Sequence, residues 1–550
     1  MSKSKALKIA VIDCETDPFA EQRKPAPFVW GFESVDIPFC SFWSNTDSSA
    51  RFYDRGISES TDALVDFLYT LKEPYCIYAH NGGKFDFMFL LPHIYGDVKI
   101  VNGRILEARI GPHIIRDSYA AIPIPLGAYK KDDMDYTKME PTCRNRYKKY
   151  ITKYLHGDCK YLLEMMVAYR DEFGNVLTIG TAAMRALKEF HTFDEFDSKK
   201  DELFRQFYYG GRNQCFEVGE VKGDFKVYDE NSAYPYVMQS FKHPVSAVYT
   251  ESRELTDDTD FIIVTGKNYG ALPLKTQFGL DFTAPYGTFY TTGHELRAGL
   301  ETGTFEIERI ENAYTFAEHT TFAEFVDTYY SKRMAARADG LDLYVLFYKL
   351  ILNSGYGKFC LNSDNFKDWF LTEIGDYNLP DDPSAWTLEV EQGDYALWSR
   401  HTAQVKYFNV ATGASITGAA RAQLLRGLSK ATRPVYCDTD SIICEALDVD
   451  ADAKRLGAWK HEASGDTIYI AGKKLYALYN GGEVVTDEKG KPKQASKGAR
   501  LTADQIKRAS LGETIRYNNP VPAFKMDGNH MFINRNIRRT ANNVKPFGAR

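Results

Sequence analysis

Apolar positions fall in short runs through most of this chain. Ile9-Ala10-Val11-Ile12 and Tyr75-Cys76-Ile77-Tyr78 are four-residue apolar runs that end in polar or turn residues, as buried strands do. A helix is predicted from Tyr147 to Tyr169, so the stretch from Lys8 to Arg170 reads as α/β. A second stretch, Phe204 to Leu447, again alternates strands with helices, and its longest predicted helix runs from Lys332 to Ser354. Asn480 to Ser496, with Gly-Gly, charges and Lys-Pro-Lys, reads as an exposed hairpin tip or loop. No internal repeat or low-complexity tract interrupts the pattern. No window approaches eighteen consecutive apolar residues, so no membrane span is expected. Met1 to Lys8 is polar and basic, and the short apolar run after it ends at Asp13. A secretory signal needs a longer apolar stretch and a small-residue cleavage site.

Composition changes this picture in three ways. At 550 residues the chain exceeds one hydrophobic core and should form several domains. Its nine cysteines include no CxxC pair, which points to free thiols in a reducing compartment, and its eleven histidines form no zinc-ligand cluster. The net charge of −6 is unevenly spread: Ala471 to Arg550 carries sixteen Lys/Arg against six Asp/Glu, a local +10 that leaves −16 on the rest. A basic C-terminal module suits phosphate tracking, while acids elsewhere suit metal binding.

Two carboxylate sets stand out. Asp13 and Glu15 end a strand in Val-Ile-Asp-Cys-Glu-Thr, and period-two alternation puts both on one face. Like charges that close repel unless a cation sits between them. Asp86 follows in His80-Asn81-Gly82-Gly83-Lys84-Phe85-Asp86, and Tyr154 and Asp158 are four apart on the predicted helix, hence on one face. Each feature alone is common; their ordered combination fits a two-metal nuclease, with oxygen ligands for Mg²⁺ and a hydroxyl to orient water. This combination resembles the exonuclease domain of family B DNA polymerases. The resemblance implies an RNase H-like fold, with Asp13, Glu15, Asp86 and Asp158 as metal ligands and Tyr154 orienting the water. It also implies that Asn81 and Phe85 hold the single-stranded 3′ end. Lys138, in Asp-Tyr-Thr-Lys, resembles a lysine that assists catalysis in phage members.

The second set is Tyr436-Cys437-Asp438-Thr439-Asp440-Ser441, an Asp-Thr-Asp turn between apolar arms. The arms would bury the turn, and buried carboxylates need partners. Asp229, in Asp-Glu-Asn-Ser-Ala-Tyr-Pro, brought to Asp440 makes a two-Mg²⁺ site for nucleotidyl transfer. Lys349, Asn353 and Tyr356 fall at i, i+4 and i+7 on one helix face. There a lysine can neutralise triphosphate charge, and an amide and an aromatic can meet a base.

The ordered motifs DxxSxYP, KxxxNSxYG and YxDTDS resemble the palm and fingers of family B polymerases. By that resemblance Asp229 and Asp440 bind the catalytic metals, two Mg²⁺ per site with Mn²⁺ able to substitute, and Asp438 supports them. The backbone near Glu230 and Ser232 would hold phosphates, and Tyr234 would stack under the sugar and exclude a 2′-OH. Lys332 and Arg333 join Lys349, Asn353 and Tyr356 in the expected dNTP-contact set. Tyr208-Tyr209-Gly210-Gly211 resembles the YxGG template-contact motif, and Lys474-Leu475-Tyr476 the KxY motif that grips the primer end. Ala233 departs from the family, which commonly has Leu there. The basic segment Arg144 to Lys153, interleaved with Tyr147 and Tyr150, has the composition of a single-strand guide, although such segments are more often a solvated helix face.

The compressed arrangement looks like the protein-primed subgroup of podovirus- and tectivirus-type phages and linear plasmids. The expected organisation is an exonuclease domain over 1–200 and a right-hand polymerase domain over 201–550. Within the latter fall palm (201–260 and 401–470), first insertion (261–330), fingers (331–360), second insertion (361–400) and thumb (471–550). The resemblance implies that the first insertion contacts a terminal protein primer and the second wraps the template, allowing strand displacement. Partners would be DNA, dNTPs and that terminal protein, for a monomer in the host cytoplasm. The alternatives are an RNA- or DNA-primed family B replicative or repair enzyme, a nuclease with a decayed C-terminal half, and a non-catalytic nucleic-acid-binding protein. The last has no use for seven carboxylates in two metal-ligand patterns.

Overall fold

The structure is a computed structural model that describes residues 7–20, 23, 25–44, 58–277, 279–363, 366–402, 407–519, 521, 524, 526, 534–541 and 544–549. Parts of the sequence reading, residues 1–6, 364–365 of the second insertion and 527–533 of the expected thumb, lie outside them. The apolar runs Ile9–Ile12 and Tyr75–Tyr78 lie in strands as expected, among β1 (Lys8–Thr16), β2 (Pro27–Ser34), β3 (Cys40–Trp43), β4 (Tyr75–Ala79), β5 (Gly96–Val101), β6 (Arg104–Ile110) and β7 (His113–Asp117). β1 and β4 are parallel, as are β4 and β7, whereas β1 and β2 are antiparallel. A short helix, α1 (Asp86–Leu90), follows β4, and the long α2 (Lys148–Phe173) lies across β1 and β2. Ile151, Leu155, Cys159 and Leu162 form its buried stripe, the spacing that holds a helix on a sheet. A Cβ at Gly31 would lie 2.9 Å from Cys159 Sγ, so glycine there lets α2 sit close to β2. That closeness brings Tyr154 and Asp158 down to the end of β1.

The second half builds another sheet. β8 (Asn213–Cys215), β9 (Gly219–Glu230) and α3 (Ala233–Ser240) come first. β10 (Tyr249–Ser252), β11 (Phe261–Asn268), β12 (Tyr286–Thr292) and β13 (Phe305–Phe316) then make a separate antiparallel sheet ordered β10-β13-β11-β12. It begins ahead of the boundary expected at 261. The single helix expected from Lys332 to Ser354 is two, α4 (Ala323–Ala338) and α5 (Asp342–Phe359). The break falls at Gly340, whose φ of +67° is open to glycine and unfavourable for a side chain.

β14 (Lys367–Glu373), β15 (Thr387–Gln392) and β16 (Tyr395–His401) occupy the expected second insertion. β14 pairs with β5, Trp369 opposite Val98, so the insertion extends the N-terminal sheet in the order β15-β16-β14-β5-β6-β7-β4-β1-β2-β3. Leu371, Tyr395 and Leu397 enter the core that holds Phe87, Phe89 and Val98. Trp386 and Tyr395, two of the insertion's aromatics, are buried and so unavailable to bases, while Tyr377 is exposed.

α6 (Val410–Ser429) leads to β17 (Tyr436–Asp438), β18 (Ser441–Cys444), β19 (Trp459–Gly472) and β20 (Leu475–Asn480). These complete a sheet containing the run β20-β19-β9-β18-β17-β8. The turn carrying Lys474 therefore belongs to the same sheet as Asp229 and Asp440. Among the described residues no helix is long and apolar enough to cross a membrane, and the nine cysteines are free.

Candidate active sites

At the end of β1, Asp13, Glu15 and Asp158 each place an oxygen within 4.8 Å of the others. Asp86, which opens α1, completes the group: its charge raises the pKa of Asp13. Burial, then the charges of Asp86 and Asp158, holds the Asp13 carboxyl well above the usual carboxylate range. Glu15 is pushed up to about 8 by burial and then by Asp158. Asp86 is pushed up to about 7 by burial, against a hydrogen bond from Cys14. Burial also raises Asp158. Asp86 Oδ1 and Asp158 Oδ1 are buried without a hydrogen-bond partner. Buried orphan oxygens among crowded carboxyls fit a divalent cation, which is hard and takes oxygen ligands.

Tyr154 packs beside this cluster, its hydroxyl 3.3 Å from that of Tyr136. The lysine at the cluster is Lys131, with Nζ 3.6 Å from Asp158 Oδ2. It lies over the Tyr154 ring at 5.6 Å. Lys138, the expected catalytic lysine, is turned elsewhere, 3.8 Å from Asp135 and over the Tyr150 ring at 4.5 Å. The short 3₁₀ turn Tyr136–Met139 carries Lys138, whose Nζ also lies over the Tyr147 ring at 5.6 Å. No periodicity marks Lys131, which sits in a Lys-Lys-Asp-Asp run that reads as solvated surface.

Asn81 has a left-handed backbone, φ +65°, and its Oδ1 accepts a 2.9 Å hydrogen bond from Arg104 Nη2. Arg104 Nη1 meets Asp117, whose carboxylate also accepts from the Gly83 and Tyr119 N–H groups. Arg104 and Asp117 thus hold the turn that carries Asn81, Phe85 and Asp86. A Cβ at Gly83 would stand 1.9 Å from the Ile105 carbonyl, which explains the glycine. Phe85 packs edge-on against Phe19, Phe89 and Phe524.

In the second sheet, Asp229 on β9 faces Ser441 on β18, which sets it beside Asp440. Glu230 N donates to the Asp440 carbonyl at 2.7 Å, and Thr439 N to the Arg212 carbonyl at 2.6 Å. Thr439 has a φ of +58°, and a Cβ at Gly211 would lie 2.6 Å from its Oγ1. Gly211 is therefore required by the Asp438–Ser441 turn, whatever else it touches; a Cβ at Gly210 meets nothing. Asp229 is pushed up to about 7 by burial and then Asp440, and Asp440 up to about 6 by burial and then Asp438. Glu230 rises to about 8 on burial, with a partnerless Oε1, on the sheet face of its cross-strand partner Trp459. Asp438 accepts a 2.8 Å bond from Lys474 Nζ, so the lysine expected at the primer end is here tied to the turn. Tyr476 packs on Tyr436 at 4.8 Å.

Ser232 starts α3 in a left-handed conformation, and the ring of Tyr234 stacks on that of Tyr356, centroids 4.1 Å apart and 12° from parallel. Two separate motifs thus meet face to face, with half-buried Tyr208 beside them. Lys349 and Asn353 are exposed on α5, two turns and one turn before Tyr356. Lys332 does not join this group: its Nζ pairs with Glu172 of α2 at 3.1 Å and lies over the Tyr329 and Tyr348 rings. Arg333 beside it is half-buried. Sequence reasoning also missed Arg421, fully buried against Glu295 at 2.6 Å, with Nη1 donating to the Tyr209 and Gly210 carbonyls. These partners lie far apart in sequence, so no local spacing announces them.

Comparison with known proteins places this geometry among relatives. Residues 113–448 match the family described as DNA polymerase type B, organellar and viral. The chain is 46% identical to a DNA-directed DNA polymerase of Enterobacteria phage PRD1, over 98% of this chain and 99% of that one. A DNA polymerase of Bacillus phage phi29 is 24% identical over 66% of this chain and 67% of its own. The structure of phi29 DNA polymerase complexed with primer–template DNA matches with a TM-score of 0.70 at 17% identity, covering 97% of this chain and all of that one.

Proposed function

Because the chain belongs to the type B DNA polymerases of organelles and viruses, we propose that it extends a primer on a DNA template with dNTPs and edits the product by 3′→5′ excision. One observation carries the reading: two carboxylate constellations stand on two separate sheets, one beside the turn of Asn81 and Phe85, the other beside the Tyr234–Tyr356 stack. Both donor sets are all-oxygen, which suits Mg²⁺, two per site, with Mn²⁺ as substitute. Asp13, Glu15, Asp86 and Asp158 would hold the ions at one site, Asp229 and Asp440 at the other. When bound, such ions offset phosphate charge and ease deprotonation of the attacking oxygen.

The chain's own residues do the rest. In synthesis Tyr234 sets the floor under the sugar and leaves no space for a 2′-OH. Lys349 meets triphosphate charge, Asn353 and Tyr356 meet the base, and the Glu230–Ser232 backbone meets phosphates. Tyr208, Gly210 and Gly211 lie along the template, with Arg421 fixing their backbone. In excision Asn81 and Phe85 seat the 3′ end, Tyr154 orients water, and Lys131 adds positive charge beside Asp158. The division into exonuclease, palm, fingers, thumb and two insertions follows the boundaries given above, except that the first insertion opens at β10 instead of 261.

The two insertions support a finer reading. We infer that synthesis starts from a hydroxyl of a terminal protein seated against the β10–β13 sheet, on a linear phage or plasmid genome, with the enzyme acting as a monomer in the host cytoplasm. A cleft of about 1750 Å³ runs between the turn of Asn81 and Phe85, Lys358 and the face of β14 and β16 at Trp369 and Arg400. It supports strand displacement: a channel that admits one strand need only bias a near-balanced exchange of duplexes, about 1.4 kcal/mol per step. Extension on a singly primed circle, with and without dNTPs, tests synthesis, excision and strand displacement together. Products longer than the circle without a helicase, and primer degradation when dNTPs are withheld, are expected. Absence of both would reject the proposal.

A further inference from the structure

The flank of α2 turned away from the nuclease carboxylates forms a groove of about 450 Å³, lined by Phe39, Lys148, Lys149, Thr152, Lys153 and His156. At 100° per residue the five helical members centre about 170° around the helix from Tyr154 and Asp158. The groove is therefore across the helix from the excision site and separate from it. Lys148, Lys149 and Lys153 are exposed, and among the described residues none has a carboxylate partner. Lys148 lies over the Trp43 ring at 4.7 Å, and Phe39 stacks on His156 at 4.5 Å and 22°. Glu33 is 3.7 Å from His156 Nε2.

Two lysines in the first turn of a 26-residue helix oppose its dipole, and that turn has neither an acid nor a side-chain cap. Uncompensated positive charge beside flat aromatic faces is the combination that binds a single strand: lysines take phosphates and rings take bases. We propose that this groove is a binding track for single-stranded DNA outside both active sites, one that holds a strand leaving the enzyme. Lys148, Lys149 and Lys153 contact phosphates, and Phe39 and His156 contact bases. The proposal rests on the polymerase reading only in taking DNA as the ligand.

The test uses the full chain carrying Asp13→Ala and Glu15→Ala, so that DNA survives, with and without Lys148→Gln, Lys149→Gln and Lys153→Gln. Binding of a labelled twenty-nucleotide oligo-dT is followed against salt. Three lost phosphate contacts should flatten the plot of log K against log salt by about 2, and Phe39→Leu should weaken binding at unchanged slope. Extension of a primer on an open template should stay normal, which reports folding and the polymerase reading independently. An unchanged slope, equal competition by blunt duplex, or loss of open-template extension in the lysine variant would each overturn the track.

Discussion

The two carboxylate sites of this chain are built in opposite ways. Asp13 and Glu15, Asp86, and Asp158 come from a strand end, a short helix and a long helix, and packing alone crowds three of the four within 4.8 Å. Their protons are held tightly, Glu15 up to about 8 and Asp86 up to about 7, and Lys131 is the neighbouring cation. Asp229 and Asp440 sit on a strand and on the turn beside it in one sheet, rise to about 7 and about 6, and have as neighbour Asp438, which is paired with Lys474. Both sites carry an electrostatic cost; they differ in ligand number, since folding gathers four acids at the first, whereas at the second Lys474 holds Asp438 and leaves Asp229 and Asp440. The difference suits their substrates: a cleaved strand brings one phosphate, an incoming nucleotide brings three.

The largest effect should come from crossing the two sites. Asp440→Ala, or Asp229→Ala, should lower extension about 10³-fold or more while excision of single strands persists. Asp13→Ala with Glu15→Ala should do the reverse, read as release of a labelled mismatched 3′ nucleotide. Loss of both activities in either variant would merge the sites. Next in size, Tyr234→Val should raise ribonucleotide incorporation roughly 10- to 100-fold, and Tyr234→Phe should remain selective, since the barrier is the ring. Equal discrimination in the Val variant would dismiss the gate.

A smaller effect separates Lys131 from Lys138. Lys131→Ala should slow excision about tenfold at unchanged extension, the loss of one charge contact of roughly 1.4 kcal/mol. Lys138→Ala should change it less; the reverse order would favour Lys138, the lysine the sequence resemblance implies. The smallest is a pH effect on the chelated protein. Between about pH 5 and 7 the folded chain keeps protons on Glu15, Asp86 and Asp229 that the unfolded chain, with ordinary carboxyls, has released. The folded state then binds more protons, so stability falls as pH rises through about 6 to 8. Thermal unfolding in chelator should fall by a few degrees, roughly, from pH 5.5 to 8, and Mg²⁺ should remove most of the fall. A midpoint that rose with pH in chelator would contradict this.

Much of both sites was legible in the sequence because their acids lie in short ordered motifs. Asp13 and Glu15 share a strand face, Tyr154 and Asp158 a helix face, and Asp438 and Asp440 a turn, each pair fixed by local geometry. What stayed hidden depends on contacts between distant segments. Lys131 reaches Asp158 from a loop without periodicity, Lys332 is claimed by Glu172 of another helix, and Arg421 grips Tyr209 and Gly210 across the fold. The pairing of β14 with β5 was hidden too, since strand alternation shows which face is buried but not which strand lies alongside. Gly340 was a break readable in principle, outweighed by the helical pattern on both sides.

The contrast between a preassembled and an incomplete site is tested most directly by Mn²⁺ titration of the full chain, without DNA or nucleotide, followed calorimetrically. The account predicts that the tightest binding disappears in the Asp13→Ala, Glu15→Ala variant and survives in Asp229→Ala, Asp440→Ala, with the polymerase acids gaining affinity only when dNTP is added. Equal loss in both variants, or tight nucleotide-free binding that depends on Asp440, would contradict it.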